Sequence, residues 1–160
     1  IVPCQITGCS KGTAGSPGEL KGRFLSAHAI GTIRINGENG VYGSTRAQFA
    51  GQKMEVAFAQ EVEAGDAEIW TTTSGETPRA YRVKIEKISD ADPRRNMVLR
   101  VVDRELLAQT GGIVQGMSGS PIVQNGRLVG AVTHVLVNDP TRGYGIFAQT
   151  MLEQAERVTE

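Results

Sequence analysis

Gly116-Met117-Ser118-Gly119-Ser120-Pro121 is the stretch of this 160-residue chain whose residue types can do chemistry. A serine between glycines presents its hydroxyl with little around it, so a carbonyl can approach the backbone. Pro121 stiffens the exit. Successive N–H groups of such a turn aim at one point, and paired N–H groups stabilise the charge that develops on a carbonyl oxygen under attack. The chemistry is acyl transfer, with Ser118 as nucleophile and the Gly116 and Ser118 amides as the oxyanion hole. The plainer reading is a serine in a glycine-rich turn, with Gly116 present for its positive φ.

A serine nucleophile needs a proton acceptor. The chain holds two histidines, His28 and His134. His28 precedes Asp103 and Ser118, so the three follow the order His, Asp, Ser. His134 lies after Ser118 in a β-branched run, where three readings stay open: contact with substrate, general base, or a half-buried ring with a satisfied nitrogen. Asp103 has two readings. It can orient and stabilise an imidazolium, or it can cap a helix that starts at Arg104-Glu105-Leu106-Leu107.

Formal net charge is zero and the basic residues are scattered, which leaves no nucleic-acid footprint. Twenty glycines with only 5% aromatics suit a β-rich domain with tight turns. No run approaches the roughly 20 apolar residues of a membrane span. Ile1-Val2-Pro3-Cys4 has no basic and apolar leader, so an export signal, if the protein has one, lies outside this chain. Cys4 and Cys9 are open to three readings: a disulfide in an oxidising compartment, two unlinked thiols, or part of a zinc site that lacks its other ligands. The Lys11–Glu19 loop lacks the ending of a phosphate cradle. No metal and no organic cofactor is implied.

The elements that must position these residues are mostly short strands. Apolar alternation and turn residues predict strands over Ala29–Ile35, Gly40–Ser44, Lys53–Gln60, Glu68–Thr73, Ala80–Ile88 and Asn96–Val102. Ile122–Gly130 reads as strand, Asn125-Gly126 turn, strand. Val129–Val137 and Gly143–Phe147 complete the set. Asp103–Gln109 reads as one or two helical turns stopped by Gly111-Gly112. Ala148–Val158 carries Met151, Leu152, Ala155 and Val158 at helical spacing. Residues 1–24 read as loop-rich, and Asn138-Asp139-Pro140 as a turn. The expected fold is all-β and barrel-like, with a C-terminal helix. A hairpin directly after a serine nucleophile suits a chymotrypsin-like β-barrel.

These residues resemble a known family. Thr110–Gly126, Gly130-Ala131-Val132-Thr133-His134-Val135, Val137–Thr141 and Gly143-Tyr144-Gly145 are similar to the SpoIVB peptidases (stage IV sporulation protein B). The likeness is close over 97–152, includes the Lys11–Glu19 loop, and is loose over 25–95. It implies a chymotrypsin-like serine endopeptidase of sporulation signalling. Such an enzyme is secreted from the forespore into the space between forespore and mother cell. There it cleaves a membrane-bound regulatory protein, which leads to activation of a late mother-cell sigma factor. Ser118 matches the family nucleophile and Asp103 the carboxylate assigned to its triad. The family histidine belongs to a Gly-His segment upstream of the loop that begins here at Gly12, and no histidine precedes Gly12. In a chymotrypsin-like layout His134 lines the substrate channel. Gly143 and Tyr144 are the candidates for pairing with an extended substrate.

The resulting expectation is one domain, residues 1–160, being the C-terminal peptidase part with its N-terminal portion incomplete. The upstream peptidase segment, PDZ domain and membrane anchor of the family are expected outside this chain. The rival expectation is a catalytically incomplete fragment or a peptidase-like binding or regulatory module that lacks the base.

Overall fold

A computed structural model describes residues 1–48, 51, 53–89 and 91–159. Two hairpins come first: β1 (Cys4–Ser10) with β2 (Glu19–Phe24), and β3 (Gly31–Gly37) with β4 (Gly40–Thr45). A closed barrel follows, made of β5 (Gly65–Thr71), β6 (Arg79–Ile88), β7 (Met97–Val101), β8 (Pro121–Gln124), β9 (Arg127–Leu136) and β10 (Asp139–Phe147). Around the barrel the order is β10-β7-β6-β5-β8-β9, with every neighbouring pair antiparallel. Helix α1 (Arg104–Thr110) joins β7 to β8, and helix α2 (Ala148–Thr159) follows β10.

The period-2 pattern of the strands decides which side chains go inside. On β6, Tyr81, Val83 and Ile85 are buried, while Arg82 and Lys84 face out. Ala67, Ile69 and Thr71 of β5 and Met97, Leu99 and Val101 of β7 complete that side of the core. Each fully buried Ile, Leu, Val or Met contributes about 1.5–3 kcal/mol relative to exposure. Asn125 and Gly126, at φ 52° and 75°, make the two-residue connection from β8 to β9.

The hairpins lie outside this core. Tyr42 is their one buried hydrophobic side chain among the described residues, and Phe24, Ile33 and Val41 are exposed. Hairpin β1–β2 is tied to the barrel by reciprocal 2.9 Å bonds between Ile6 and Gly75. Cys4 and Cys9 are free thiols on β1.

Three local expectations change. Residues Cys4–Ser10 and Glu19–Phe24 form strands although they read as loop, because their pairing is exposed and needs no apolar alternation. Lys53–Gln60 is not a strand. Val56 makes one parallel bridge to Leu128, and Ala59–Glu61 is a single 3-10 turn. Met54, Val56 and Phe58 accordingly stay exposed. Asp139 and Pro140 open β10, and the turn falls on Val137-Asn138.

Candidate active site

Helix α1 aims the chain at the Ser118 turn. Asp103 caps it: its Oδ1 accepts from the N–H of Glu105 at 2.9 Å and of Leu106 at 3.2 Å. Gly111, in the left-handed region, ends it with an N–H to the Leu107 carbonyl. Buried Thr110 staples this end, its Oγ1 lying 2.9 Å from Leu106 O and 2.6 Å from Gly112 O. Ile113 and Val114 then enter the core, and the Ile113 N–H donates to Pro140 O.

Two overlapping turns display Ser118. In the first, Met117 N–H donates to Val114 O at 3.1 Å, and Gly116 has φ +97°. A positive φ at the third residue is the type II turn, which glycine suits. In the second, Ser120 N–H donates to Met117 O at 3.0 Å. Met117 is wholly buried beneath both, so it anchors the crest while Gly116, Ser118 and Gly119 stay exposed. The crest is clamped to β9 by Gly119 N–H to Val132 O and Val132 N–H to Ser120 O.

Ser118 Oγ donates to Thr133 O at 2.8 Å. The N–H groups of Gly116 and Ser118 donate to no backbone carbonyl among the described residues. They flank Met117 at the exposed crest; an oxyanion hole needs two such donors aimed at one point. A cleft of about 320 Å³ opens here, with Cys4, Leu20, Trp70, Gly116, Gly119 and Pro121 on its walls. A larger groove of about 1020 Å³, on the outer face of β5 and β6, shares Trp70 with it.

The model of the SpoIVB peptidase S55 family matches residues 1–152. This chain belongs to the SpoIVB peptidase S55 family. No curated protein sequence matches it. Solved structures similar to it include two of one protein. One is Rv3671c from M. tuberculosis H37Rv, a Ser343Ala mutant in an inactive form, at 17% identity and TM-score 0.54, covering 81% of this chain. The chain spans 64% of that protein's length. The other is the Rv3671c protease in an inactive form, at 15% identity and TM-score 0.54, covering 98% of this chain and 88% of that one. At these identities the likeness concerns fold, and the fold of the SpoIVB-family chain is chymotrypsin-like.

Within this SpoIVB-family site the predicted residues separate. Ser118 and Gly116 lie on the crest, and Ser118 meets Thr133 of β9. His134 is exposed and sits opposite Tyr144 on β10, and no hydrogen bond joins it to Ser118 among the described residues. His28 is an exposed loop residue whose Nδ1 lies 3.1 Å from Ser26 Oγ. Gly143 and Tyr144 pair on both sides, with Leu99 and Val98 of β7 and with Val135 and His134 of β9. Both edges of that segment are occupied, so strand addition is closed to it. The Tyr144 ring instead packs under the Arg95 guanidinium, 5.1 Å away. β8 ends its pairing with β9 at Ala131, so Thr133–Leu136 is the strand edge left beside Ser118. Alternation alone did not reveal that edge, because it depends on where β8 begins.

Asp103 meets neither histidine. Its Oδ2 accepts from Arg82 N–H at 3.3 Å and lies 3.7 Å from Arg82 Nε. Burial pushes its carboxyl up, but the N–H groups of Leu106, Arg82 and Glu105 and the Arg82 charge outweigh burial and hold it below the usual carboxylate value. A carboxyl lowered in the folded state adds stability above the unfolded value of about 4 and loses it as pH falls through the folded value. Asp103→Asn keeps an acceptor and removes the charge. It is expected to lower stability at neutral pH by about 1 kcal/mol, with the difference closing below about pH 4. Urea titration across pH checks this. The rate of Ser118 acylation is expected to stay unchanged, whereas a fall of about 10⁴ would put Asp103 in the triad.

Proposed function

We propose that this chain carries the nucleophile and oxyanion hole of a serine endopeptidase. The carrying observation is an exposed Ser118 beside two N–H groups, Gly116 and Ser118, that no backbone carbonyl occupies among the described residues. Ser118 Oγ attacks a substrate carbonyl, the two amides receive the oxyanion, and water releases the acyl-enzyme. The substrate is a polypeptide, extended along the Thr133–Leu136 edge. No hydrogen bond joins His28 or His134 to Ser118 among the described residues, which supports a base supplied by sequence outside these 160 residues. Exposed Phe24, Ile33 and Val41 on the hairpins support further sequence packing there.

The family likeness supports the finer reading. The enzyme acts in sporulation signalling, in the space between forespore and mother cell. Its substrate is a membrane-bound regulatory protein, and a PDZ domain accompanies the peptidase part. The second reading, a binding or regulatory module without a base, draws on the same histidine positions.

A fluorophosphonate probe decides between them, with the adduct located by mass spectrometry. Labelling of Ser118, in this chain or in the full-length protein, is the expected result. A full-length protein that stays unlabelled at Ser118 while its barrel is folded would sink the peptidase reading and leave the binding module.

A further inference from the structure

The Lys11–Glu19 loop carries no chemistry of its own, yet its end touches the Ser118 turn. Gln115 N–H donates to Gly18 O at 2.8 Å, and Leu20 N–H donates to Gln115 O at 2.8 Å. Residues 18–20 therefore run alongside Gln115 as a short parallel bridge. Leu20 packs its side chain over Gly116, where an added Cβ would lie 3.1 Å from Leu20 Cβ. Gly18 has no room to be anything else, since a Cβ there would sit 2.2 Å from Ser10 O. The loop is pinned from below as well, with Gly12 N–H to Thr110 O and Gly15 N–H to Val137 O.

The carbonyl that Leu20 holds belongs to the same peptide unit as the Gly116 N–H. In a trans peptide those two groups point in opposite directions. Type I and type II turns share their end-to-end hydrogen bond and differ by a half-turn of this central peptide. The Met117-to-Val114 bond thus does not choose between them, and glycine at 116 accepts either φ.

We propose that Leu20 is the positioning residue of the oxyanion hole: its N–H, by holding the Gln115 carbonyl, keeps the Gly116 N–H turned outward. Without that bond the peptide turns over and the hole loses one donor. Because β2 lies outside the barrel, any shift of hairpin β1–β2 is transmitted to the hole. The catalytic consequence rests on the peptidase reading of Ser118; the geometry does not.

Two measurements on the full chain test this. Leu20→Pro removes the donor, and an amide-to-ester replacement at residue 20 removes it while keeping the side chain. In NMR spectra the contact between Gln115 Hα and Gly116 HN is strong in a type II turn and weak in a type I turn. It is expected to be strong in the parent protein and to weaken in both variants. In the form of the protein that labels at Ser118, fluorophosphonate labelling is expected to fall about 100-fold in both. If Leu20→Pro unfolds, the ester variant decides. A strong contact retained in the ester variant, or labelling at the parent rate, overturns the proposal. If no form of the parent labels, the peptidase reading fails while the NMR contact still decides the lock.

Discussion

Ser118→Ala is expected to abolish peptide cleavage and fluorophosphonate labelling, by about 10⁶ in kcat, with stability nearly unchanged. The chemical half follows from the crest. Ser118 offers the one hydroxyl there that is both exposed and flanked by unoccupied N–H groups; neighbouring Ser120 is buried. Removing a serine nucleophile leaves only what the oxyanion hole and substrate binding supply. The stability half follows from the hydrogen bonds. Ser118 Oγ makes one hydrogen bond among the described residues, to Thr133 O, at an exposed position. Losing it costs about 0.5–1.5 kcal/mol at most, since water reaches the freed carbonyl. Single-turnover kinetics and a urea melt on the same sample separate the two halves. A variant that folds normally and still cleaves at the parent rate would place the nucleophile elsewhere.

The barrel was legible where one face is buried. Tyr81, Val83 and Ile85 alternate with Arg82 and Lys84, and the strand they announce, Ala80–Ile88, differs from β6 by a single residue. Gly111-Gly112 marks the stop of α1, and Asn125-Gly126 the turn between β8 and β9, because each position needs a backbone angle that few other residues tolerate. What stayed hidden lacks such signals. Strands β1 and β2 pair at the surface, so Cys-Gln-Ile-Thr-Gly-Cys-Ser carries no pattern of inside and outside. The Ser118 turn was readable from its glycines. Its support was not: the bonds from Leu20 N–H to Gln115 O and from Gln115 N–H to Gly18 O join backbone groups nearly a hundred positions apart, and backbone pairing leaves little trace in side-chain identity. Asp103 shows the same limit from the other side. A carboxylate before a helix reads as cap or triad member, and the three N–H groups around it show the cap.

Met117→Asp is expected to destabilise the fold by about 3 kcal/mol or more at pH 8, although Asp-Ser-Gly is the chymotrypsin pattern at this place. Met117 has 0% exposure and belongs to the barrel core beneath the crest. A carboxylate there needs a cation. The ammonium of Ile1 is bound to Gly31 O, at the start of β3. Ion pairs hold Arg79, Arg82, Lys84, Arg94, Arg100, Arg127 and Arg142 against carboxylates elsewhere. Burial then raises the Asp carboxyl above its unfolded value. A raised acid binds more protons folded than unfolded, so the penalty grows as pH climbs above about 4 and levels off past the folded value. The variant should therefore be weaker at pH 8 than at pH 5, relative to the parent at each pH. Met117→Leu, which keeps volume and polarity, should cost less than about 1.5 kcal/mol at both. Urea midpoints at the two pH values read the difference directly. Because total stability of a small domain is about 5–15 kcal/mol, the Asp variant also loses much of its margin, and the crest above it loses its anchor. A Met117→Asp protein as stable as the parent at pH 8 would mean that a cation reaches the floor of the Ser118 turn, and would replace the apolar anchor argued here with an ionic one.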